Sequence, residues 1–488
     1  MTVSNDIIAD KKHRQDNVPL IEARSIDYIP ESERHGTLSS QFTLWFGANL
    51  QITAIVTGAL AVVLGGDVFW SLIGLFIGQL LGGAVMALHA VQGPKLGLPQ
   101  MISSRVQFGV YGAVIPILLV CMMYVGFSAS GTVLAGQAVG QLLNVSDWVG
   151  ILIFGAVIIA ITICGYRIIH MLGKAASVIG VVAFFYLFFR LFYMNDVSVL
   201  LENRHFTWTN FLLAMSLSAS WQIAFGPYVA DYSRYLPTKT PTIKAFLAVG
   251  SGTVIGTQAS MILGVFAAAL AGNAFAGHEV AYIVGLGSTG LIAALLYISI
   301  FFGKVTITAL NAYGSFMSMA AIFCGFRGKQ QISRRQRLFF IILMVSFSTA
   351  LGLAGQHSFL KLFSAFLLFL LAFFTPWSAI NLVDYYWVTK GRYDVPQLSN
   401  PNGRYGRWNK VGIITYVIGV MIQLPFIATG FYTGPLVEKL GGVDISWIVG
   451  LVATSIIYYA AIKIWPMSVA DRLILPSSNE ILDSKSAN

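Results

Sequence analysis

Residues 149–164 read VGILIFGAVIIAITIC, a run of apolar and small residues that contains no charge. Residues 360–374 and 411–429 are stretches of the same kind, and Lys361 is the only charged residue in either of them. A helix of about 20 apolar residues crosses a hydrocarbon core of roughly 30 Å, and only helices or closed barrels satisfy every backbone polar group in lipid. Because the apolar residues are continuous rather than alternating, these stretches predict transmembrane helices.

Twelve such stretches, joined by short loops, predict an all-α polytopic membrane protein with its lipid bilayer as a partner. The predicted spans are residues 42–64, 69–91, 110–141, 149–165, 172–193, 210–228, 244–271, 286–320, 338–355, 360–388, 411–432 and 446–465. This pattern divides the chain into a tail, a ten-helix core, a loop, two additional helices and a second tail, at residues 1–40, 41–388, 389–410, 411–466 and 467–488.

The composition agrees with a membrane protein, because 56% of the 488 residues are hydrophobic and only 10% are charged, against about 25% charged residues in soluble proteins. The mean hydropathy is +0.74. The net charge of +10 comes from Lys and Arg in both tails and in alternate loops, whereas the opposite loops contain only Arg204, Lys361 and Lys439. Excess Lys and Arg mark the cytoplasmic side. We therefore predict a cell (inner) membrane protein with both termini cytoplasmic, and no nucleic-acid partner.

Several function classes are disfavoured by what the sequence lacks. Cys121, Cys164 and Cys324 all fall inside predicted spans without paired spacing, which predicts neither a disulfide nor a metal site. There is no Walker-type phosphate loop, so direct ATP-driven transport is not expected. There is no convergent acid/base or metal set, so the chain is not expected to be an enzyme. A channel stays open as an alternative; it would conduct without saturable, gradient-driven uptake.

Two predicted spans contain features that interrupt helices. Residues 45–53 read WFGANLQIT and place an Asn and a Gln in the middle of the first span. The sixth span contains Gly226-Pro227, which removes a backbone donor. Secondary transporters bind substrate and ions beside such interruptions near the membrane midplane, and spans five apart fit two five-helix halves of inverted topology. The simpler alternative is that both spans are continuous, with buried amides that bond a neighbouring helix.

Three segments carry a resemblance to a known family. They are GPKLGLPQMISSR at residues 93–105, GPYVADYSRYLP at residues 226–237 and NLVDYYWVTKGRYDV at residues 381–395. Together they resemble the nucleobase:cation symporter family, in its purine–cytosine permease branch. The resemblance implies a leucine-transporter-like fold of twelve helices, ten in a 5+5 inverted repeat and two added at the C-terminus. It also implies symport of a nucleobase-like substrate with Na⁺ or H⁺, without any other cofactor.

The resemblance also implies a substrate site in spans three and six. In span three, Tyr124 would stack on the base and Ser128 would bond its edge, although the family often has Trp and an amide there. In span six the register is open. We favour Trp221 for stacking and Gln222 for edge recognition, with Phe225 as the alternative in a shifted alignment.

Spans one and eight complete the site that the resemblance implies. Asn311 matches a substrate-binding Asn, and an amide both donates and accepts, which suits the mixed edge of cytosine or a purine. Gln51 matches a Gln at the unwound turn, where it either contacts substrate or caps freed backbone. The implied cation ligands are carbonyls near Gly47 and Leu50 and, in span eight, the Phe302 carbonyl and the Thr306 hydroxyl, with Val305 in place of a second hydroxyl.

Lys304 is the most unusual residue, because charged side chains within a span are costly and mark pathways or relays. We hypothesise that its ammonium occupies or borders the expected sodium position, which would make the protein proton-coupled. The alternative is a lysine whose long stem carries its charge into a hydrated cavity without coupling. The substrate is open too: allantoin, hydantoin, uracil or a thiamine precursor are alternatives to cytosine and purines.

Overall fold

The computed structural model describes residues 27–164, 166–327, 333–430 and 432–476. Regular structure in these ranges is helical, and they contain no β-strand beyond isolated bridges. The main helices are α1 (Leu38–Asn49), α2 (Ile52–Val63), α3 (Val68–Ala90), α4 (Val114–Leu143), α5 (Asp147–Cys164), α6 (Tyr166–Met194), α7 (Trp208–Ile223), α8 (Gly226–Ser233), α9 (Thr242–Ala271), α10 (Glu279–Gly287), α11 (Gly290–Arg327), α12 (Arg334–Gly355), α13 (Phe359–Val383), α14 (Lys410–Gln423) and α15 (Ser446–Ile464).

The polytopic, all-α prediction is confirmed, whereas the count of twelve spans stays a prediction. Within the described ranges, six helical segments are long and apolar enough to cross a membrane, or seven when the bent pair α1 and α2 is one span. One of the six, Arg335–Val388, holds two predicted spans joined by a 3-10 turn. Shorter apolar helices occupy three further predicted spans, at Asp147–Thr162, Val178–Met194 and Lys410–Phe426.

Two parts of the sequence prediction fall partly outside the description. The tails are described only from residue 27 and up to residue 476, and the side chains of Cys164 and Cys324 are not included. Cys121 is a buried free cysteine.

The predicted start of span eight at residue 286 is wrong, because a separate helix, α10, precedes it. The chain turns out of α10 through an extended Ser288, and α11 then begins at Gly290, whose φ is +63°. Glu279 in α10 is 1% exposed. Its carboxylate accepts a hydrogen bond of 2.5 Å from the Gln137 amide of α4, whose oxygen accepts from the Val280 N–H at 3.1 Å. α10 is therefore fastened to α4.

Spans one, two, six and seven pack through glycines that bring backbones into contact. A Cβ on Gly264 of α9 would overlap the Ile55 carbonyl of α2, and one on Gly58 would overlap Met261. Between α3 and α7, a Cβ on Gly82 would lie 2.7 Å from the Ala219 carbonyl oxygen. Small residues permit this close approach of membrane helices, so the four spans form one compact bundle.

Gly264→Ala is expected to destabilise the protein, because the added methyl has no room and overpacking costs about 1–3 kcal/mol or more. The matched control is Gly180→Ala, since nothing lies within 4 Å of a Cβ built at Gly180. The measurement is the thermal midpoint of detergent-solubilised protein by size-exclusion chromatography. Equal midpoints for the two variants would contradict the close α2–α9 contact.

Candidate functional site

The first span is interrupted where the sequence predicts it. α1 and α2 meet at an angle of 58° across Leu50 and Gln51, and Gln51 is extended with φ −146° and ψ 155°. Side chains compensate for the lost helical hydrogen bonds: the Gln51 amide donates to the Ala48 carbonyl at 2.9 Å, and the Ser260 hydroxyl of α9 donates to the Asn49 carbonyl at 2.7 Å. The predicted interruption of span one is therefore confirmed.

The sixth span is interrupted more weakly than predicted. α7 ends at Ile223 and α8 begins at Gly226, yet Ala224 and Phe225 between them keep right-handed helical dihedrals. Pro227 occupies the first turn of α8, where a missing backbone N–H costs no hydrogen bond. The segment is thus a short discontinuity rather than an unwound stretch.

Lys304 reaches from α11 to the break in span one. Its ammonium donates to the Gln51 side-chain oxygen at 2.8 Å and to the Thr53 hydroxyl, and the residue is 3% exposed. A Cβ built on Gly131 of α4 would lie 3.8 Å from the ammonium. Both hydrogen-bond partners are neutral, and among the described residues no carboxylate pairs with this lysine. The Lys304 side chain is therefore enclosed between the break, α4 and α11.

Three polar residues of α11 share one face of the helix. Lys304, Thr308 and Asn311 are separated by four and then three residues, which is the spacing of a single helical face. The buried Thr308 hydroxyl would lie 3.3 Å from a Cβ on Gly131, next to the ammonium. The sequence prediction missed Thr308, although its spacing from Lys304 could have indicated it.

Phe302 and Thr306 are not brought to this cluster. Each is two residues from Lys304, about 200° around the helix. The Phe302 side chain is 36% exposed, and the Thr306 hydroxyl donates to the Phe302 carbonyl at 3.1 Å. In span one, the Gly47 carbonyl accepts the Leu50 N–H at 3.1 Å, which closes the end of α1. Thr306, the predicted hydroxyl ligand, therefore lies away from Lys304, whereas the Thr308 hydroxyl lies beside it.

Aromatic rings from spans three and six meet beside the two interruptions. Tyr124 packs against Gly314 of α11 and lies 5.7 Å from Tyr228, ring centroid to centroid. Phe225 lies 5.8 Å from both Tyr228 and Trp221. A planar ring held between two aromatic faces needs about 7 Å between them, since carbon atoms touch at about 3.5 Å. The ring centroids are closer together than this, so a ligand that stacks between them must move at least one pair of rings apart.

Trp221 and Gln222, the favoured pair in span six, are engaged elsewhere. The Trp221 indole donates to the Asn49 side-chain oxygen at 2.7 Å. The Gln222 amide donates to Gln79 of α3 and to Thr257 of α9, and its oxygen accepts from Thr253. Gln222 thus lies inside the helix bundle with its hydrogen bonds satisfied, so the geometry favours the alternative register with Phe225. Tyr228, three residues after Phe225, was missed.

Ser128 of α4 and Asn311 of α11 lie at the same level of two neighbouring helices. Contacts between α4 and α11 pair Tyr124 with Gly314 and Gly131 with Thr308, which brings Ser128 level with Asn311. Ser128 is fully buried and its hydroxyl has no hydrogen-bond partner. A buried, unpaired hydroxyl is costly unless a ligand satisfies it.

Comparison with known proteins decides the family. Residues 28–450 match the family described as permeases for cytosine/purines, uracil, thiamine and allantoin. The chain belongs to this permease family. The permease is 39% identical to YxlA of Bacillus subtilis, provisionally named a purine-cytosine permease, over 91% of this chain and 96% of that one. It is 25% identical to the Emericella nidulans purine-cytosine permease fcyB, over 90% and 87% of the two chains.

Solved structures agree on the fold. Mhp1, a nucleobase-cation-symport-1 family transporter, superposes with a TM-score of 0.70 in a closed conformation with bromovinylhydantoin bound, at 19% identity over 96% of this permease and 99% of Mhp1. Its inward-facing conformation gives 0.73 at 18% identity, over 94% and 97% of the two chains. The predicted leucine-transporter-like fold and family membership are confirmed, and the permease is a membrane transporter rather than an enzyme.

Proposed function

We propose that this permease imports a nucleobase, cytosine or a purine, by cation symport with alternating access. The single observation that carries the proposal is the cluster of aromatic rings around Tyr124 and Tyr228, one helical turn from the buried, unpaired Ser128 hydroxyl. Apolar walls with a few placed polar groups are the usual design of small-molecule pockets. A flat heterocycle with a mixed donor and acceptor edge fits both parts.

In the bound state the base stacks against Tyr124, Phe225 or Tyr228 and bonds Ser128 and Asn311 through its edge. Entry of the ring moves apart rings that now lie 5.7–5.8 Å from one another. Stacking on an aromatic side chain is worth about 1–3 kcal/mol for each base, which offsets the loss of the ring–ring contacts. Spans one, two, six and seven then rock against spans three, four, eight and nine.

The coupling ion in this proposal is a proton carried by Lys304. Its ammonium bridges span eight and the break of span one through Gln51 and Thr53, as a cation bound between the two spans would. A ligand shifts a conformational equilibrium only through different affinities for the two states. The protonated lysine favours the state in which both hydrogen bonds are made, and loss of the proton weakens that state. Sodium symport is the competing alternative.

The same proposal sets orientation and location. With the basic tails and loops inside, the N-terminal segment and the turns around residues 92–109 lie on the cytoplasmic face of the inner membrane. This face is called the tail side below.

Radiolabelled cytosine uptake in cells that lack their own nucleobase permeases tests the proposal. We expect saturable uptake that adenine and hypoxanthine inhibit, that a protonophore abolishes and that replacement of Na⁺ by choline leaves unchanged. Competition by uracil, allantoin, hydantoin or a thiamine precursor alone would instead favour another small heterocycle, which the family description and the ligand bound to Mhp1 also support. Absence of uptake for all of them would contradict the proposal.

A further inference from the structure

A second stacked heterocycle lies on the other side of the span-six discontinuity. The imidazole of His89 in α3 stacks on the indole of Trp377 in α13, with ring centroids 4.7 Å apart and planes 12° from parallel. Both residues are fully buried. A Cβ built on Gly226 would lie 3.2 Å from the His89 ring and 3.6 Å from the Trp377 ring. The pair thus lies beside Gly226, the residue that follows Phe225 of the proposed substrate site around Tyr124, Ser128, Phe225 and Asn311, called the central site below.

The His89 ring is held in the way that a nucleobase would be held. Its Nε2 lies 3.1 Å from the Ser378 hydroxyl, and its Nδ1 lies 3.3 Å from the Gln100 amide nitrogen. One face rests on an indole, and both ring nitrogens have polar partners. An imidazole is also the five-membered half of a purine, so the space that the His89 ring fills has the size of that half.

Side-chain amides surround the imidazole. Gln100 donates to Gln92 at 3.1 Å, and Gln92 donates to Asn381 at 2.8 Å. All three residues are at least 99% buried, and the Gln100 oxygen has no hydrogen-bond partner. An amide both donates and accepts, and amide pairs are the side chains that match the mixed edges of bases. The unpaired Gln100 oxygen leaves an acceptor free for a ligand donor.

The pocket lies between the central site and the tail side. Gln92 is followed by Pro94, whose carbonyl accepts a hydrogen bond from the buried Arg34 of the N-terminal segment. A substrate that leaves the central site past Gly226 toward this face meets the His89–Trp377 pair next.

We propose that Trp377, Gln92, Gln100 and Asn381 form a second heterocycle-binding subsite on the exit path, in which the His89 imidazole holds the place of the substrate ring. This inference rests on the proposed function of the central site. A base that leaves that site displaces the imidazole, stacks on Trp377 and bonds the amides through its edge. Return of the imidazole then expels the base toward the tail side.

Binding stoichiometry of purified permease with radiolabelled adenine tests the subsite. We expect about one adenine per wild-type chain, because His89 fills the second position. His89→Ala and His89→Asn, which remove the imidazole, should each raise the number to about two, with the new sites saturable. Adding Trp377→Leu to either variant should return it to about one. Asn311→Ala combined with His89→Ala should keep only the new sites.

A second measurement does not depend on His89. Trp377→Leu in the otherwise unchanged chain should slow net uptake about tenfold while adenine affinity at the central site changes less than about twofold. One adenine per chain in both His89 variants, or unchanged uptake in Trp377→Leu, would overturn the subsite. Failure of the proposed function looks different, because wild-type protein would then bind no nucleobase at all.

Discussion

Asn311→Ala is expected to lower nucleobase uptake by about a hundredfold. In the proposed site the Asn311 amide bonds the edge of the base, because it both donates and accepts. Loss of a hydrogen bond to a buried ligand group costs about 1–3 kcal/mol. Binding is weakened strongly when a polar group of the ligand or of the site is left unpaired. Since about 1.4 kcal/mol is a factor of ten, two lost bonds give the expected change. Uptake of radiolabelled cytosine and adenine measures it.

The control for this variant is Asn195→Ala. That amide donates to the Leu191 carbonyl at 3.0 Å at the end of α6, far in the chain from the site. Both variants should give the same amount of monodisperse protein in detergent. Asn195→Ala is expected to keep wild-type uptake. If Asn311→Ala keeps it as well, Asn311 does not bind the substrate.

Lys304→Met is expected to abolish concentrative uptake, so that internal substrate only equilibrates with external substrate. The methionine fills similar volume but cannot carry a proton, and uptake should lose its dependence on pH and its sensitivity to a protonophore. Removing the ammonium also leaves Gln51 and Thr53 without their shared donor, which costs about 1–3 kcal/mol. Lys304→Gln restores a donor without a titratable charge and should be uncoupled in the same way but more stable.

Lys463→Met is the matched control, because this lysine lies at the end of α15 with its ammonium 5.4 Å from the Tyr459 ring. Substrate exchange across proteoliposomes, with and without an imposed pH gradient, separates coupling from binding. Gradient-driven accumulation that persists in both Lys304 variants would refute proton coupling through this residue. Dependence on Na⁺ in the wild type would favour sodium.

The fold was predictable because lipid leaves the backbone few choices. The break at Gln51 was predictable for a similar reason, since an Asn and a Gln in mid-span have no apolar role. α10 was not, because it depends on the pairing of Glu279 with Gln137, which lies 142 residues earlier in the chain. The number of spans was harder to predict than their helical and apolar character. Short apolar helices such as α14 do not reach the length of a full crossing.

Within the site, sequence reasoning found residues with unusual chemistry and missed those defined by a shared face. Lys304 was singled out as a charge within a span and Asn311 through the family resemblance, and both roles stay predictions. Thr308 and Tyr228 can be picked out only when it is known which side of each helix faces inward. Gln222 was chosen as a polar residue beside the discontinuity, yet Gln79 of span two satisfies its amide. Such a partnership between distant helices is not visible in a local motif.

The fastening of α10 to α4 has a mechanical consequence. α10 follows α9 in the chain, but its buried carboxylate holds it to span three, which the proposed mechanism assigns to the opposite body. In that mechanism, movement of α9 is absorbed in the connecting segment, which contains Gly272 and Gly277, both with positive φ, at +55° and +83°. In the proposed mechanism this segment bends, so that α10 keeps its contacts with α4 while α9 moves.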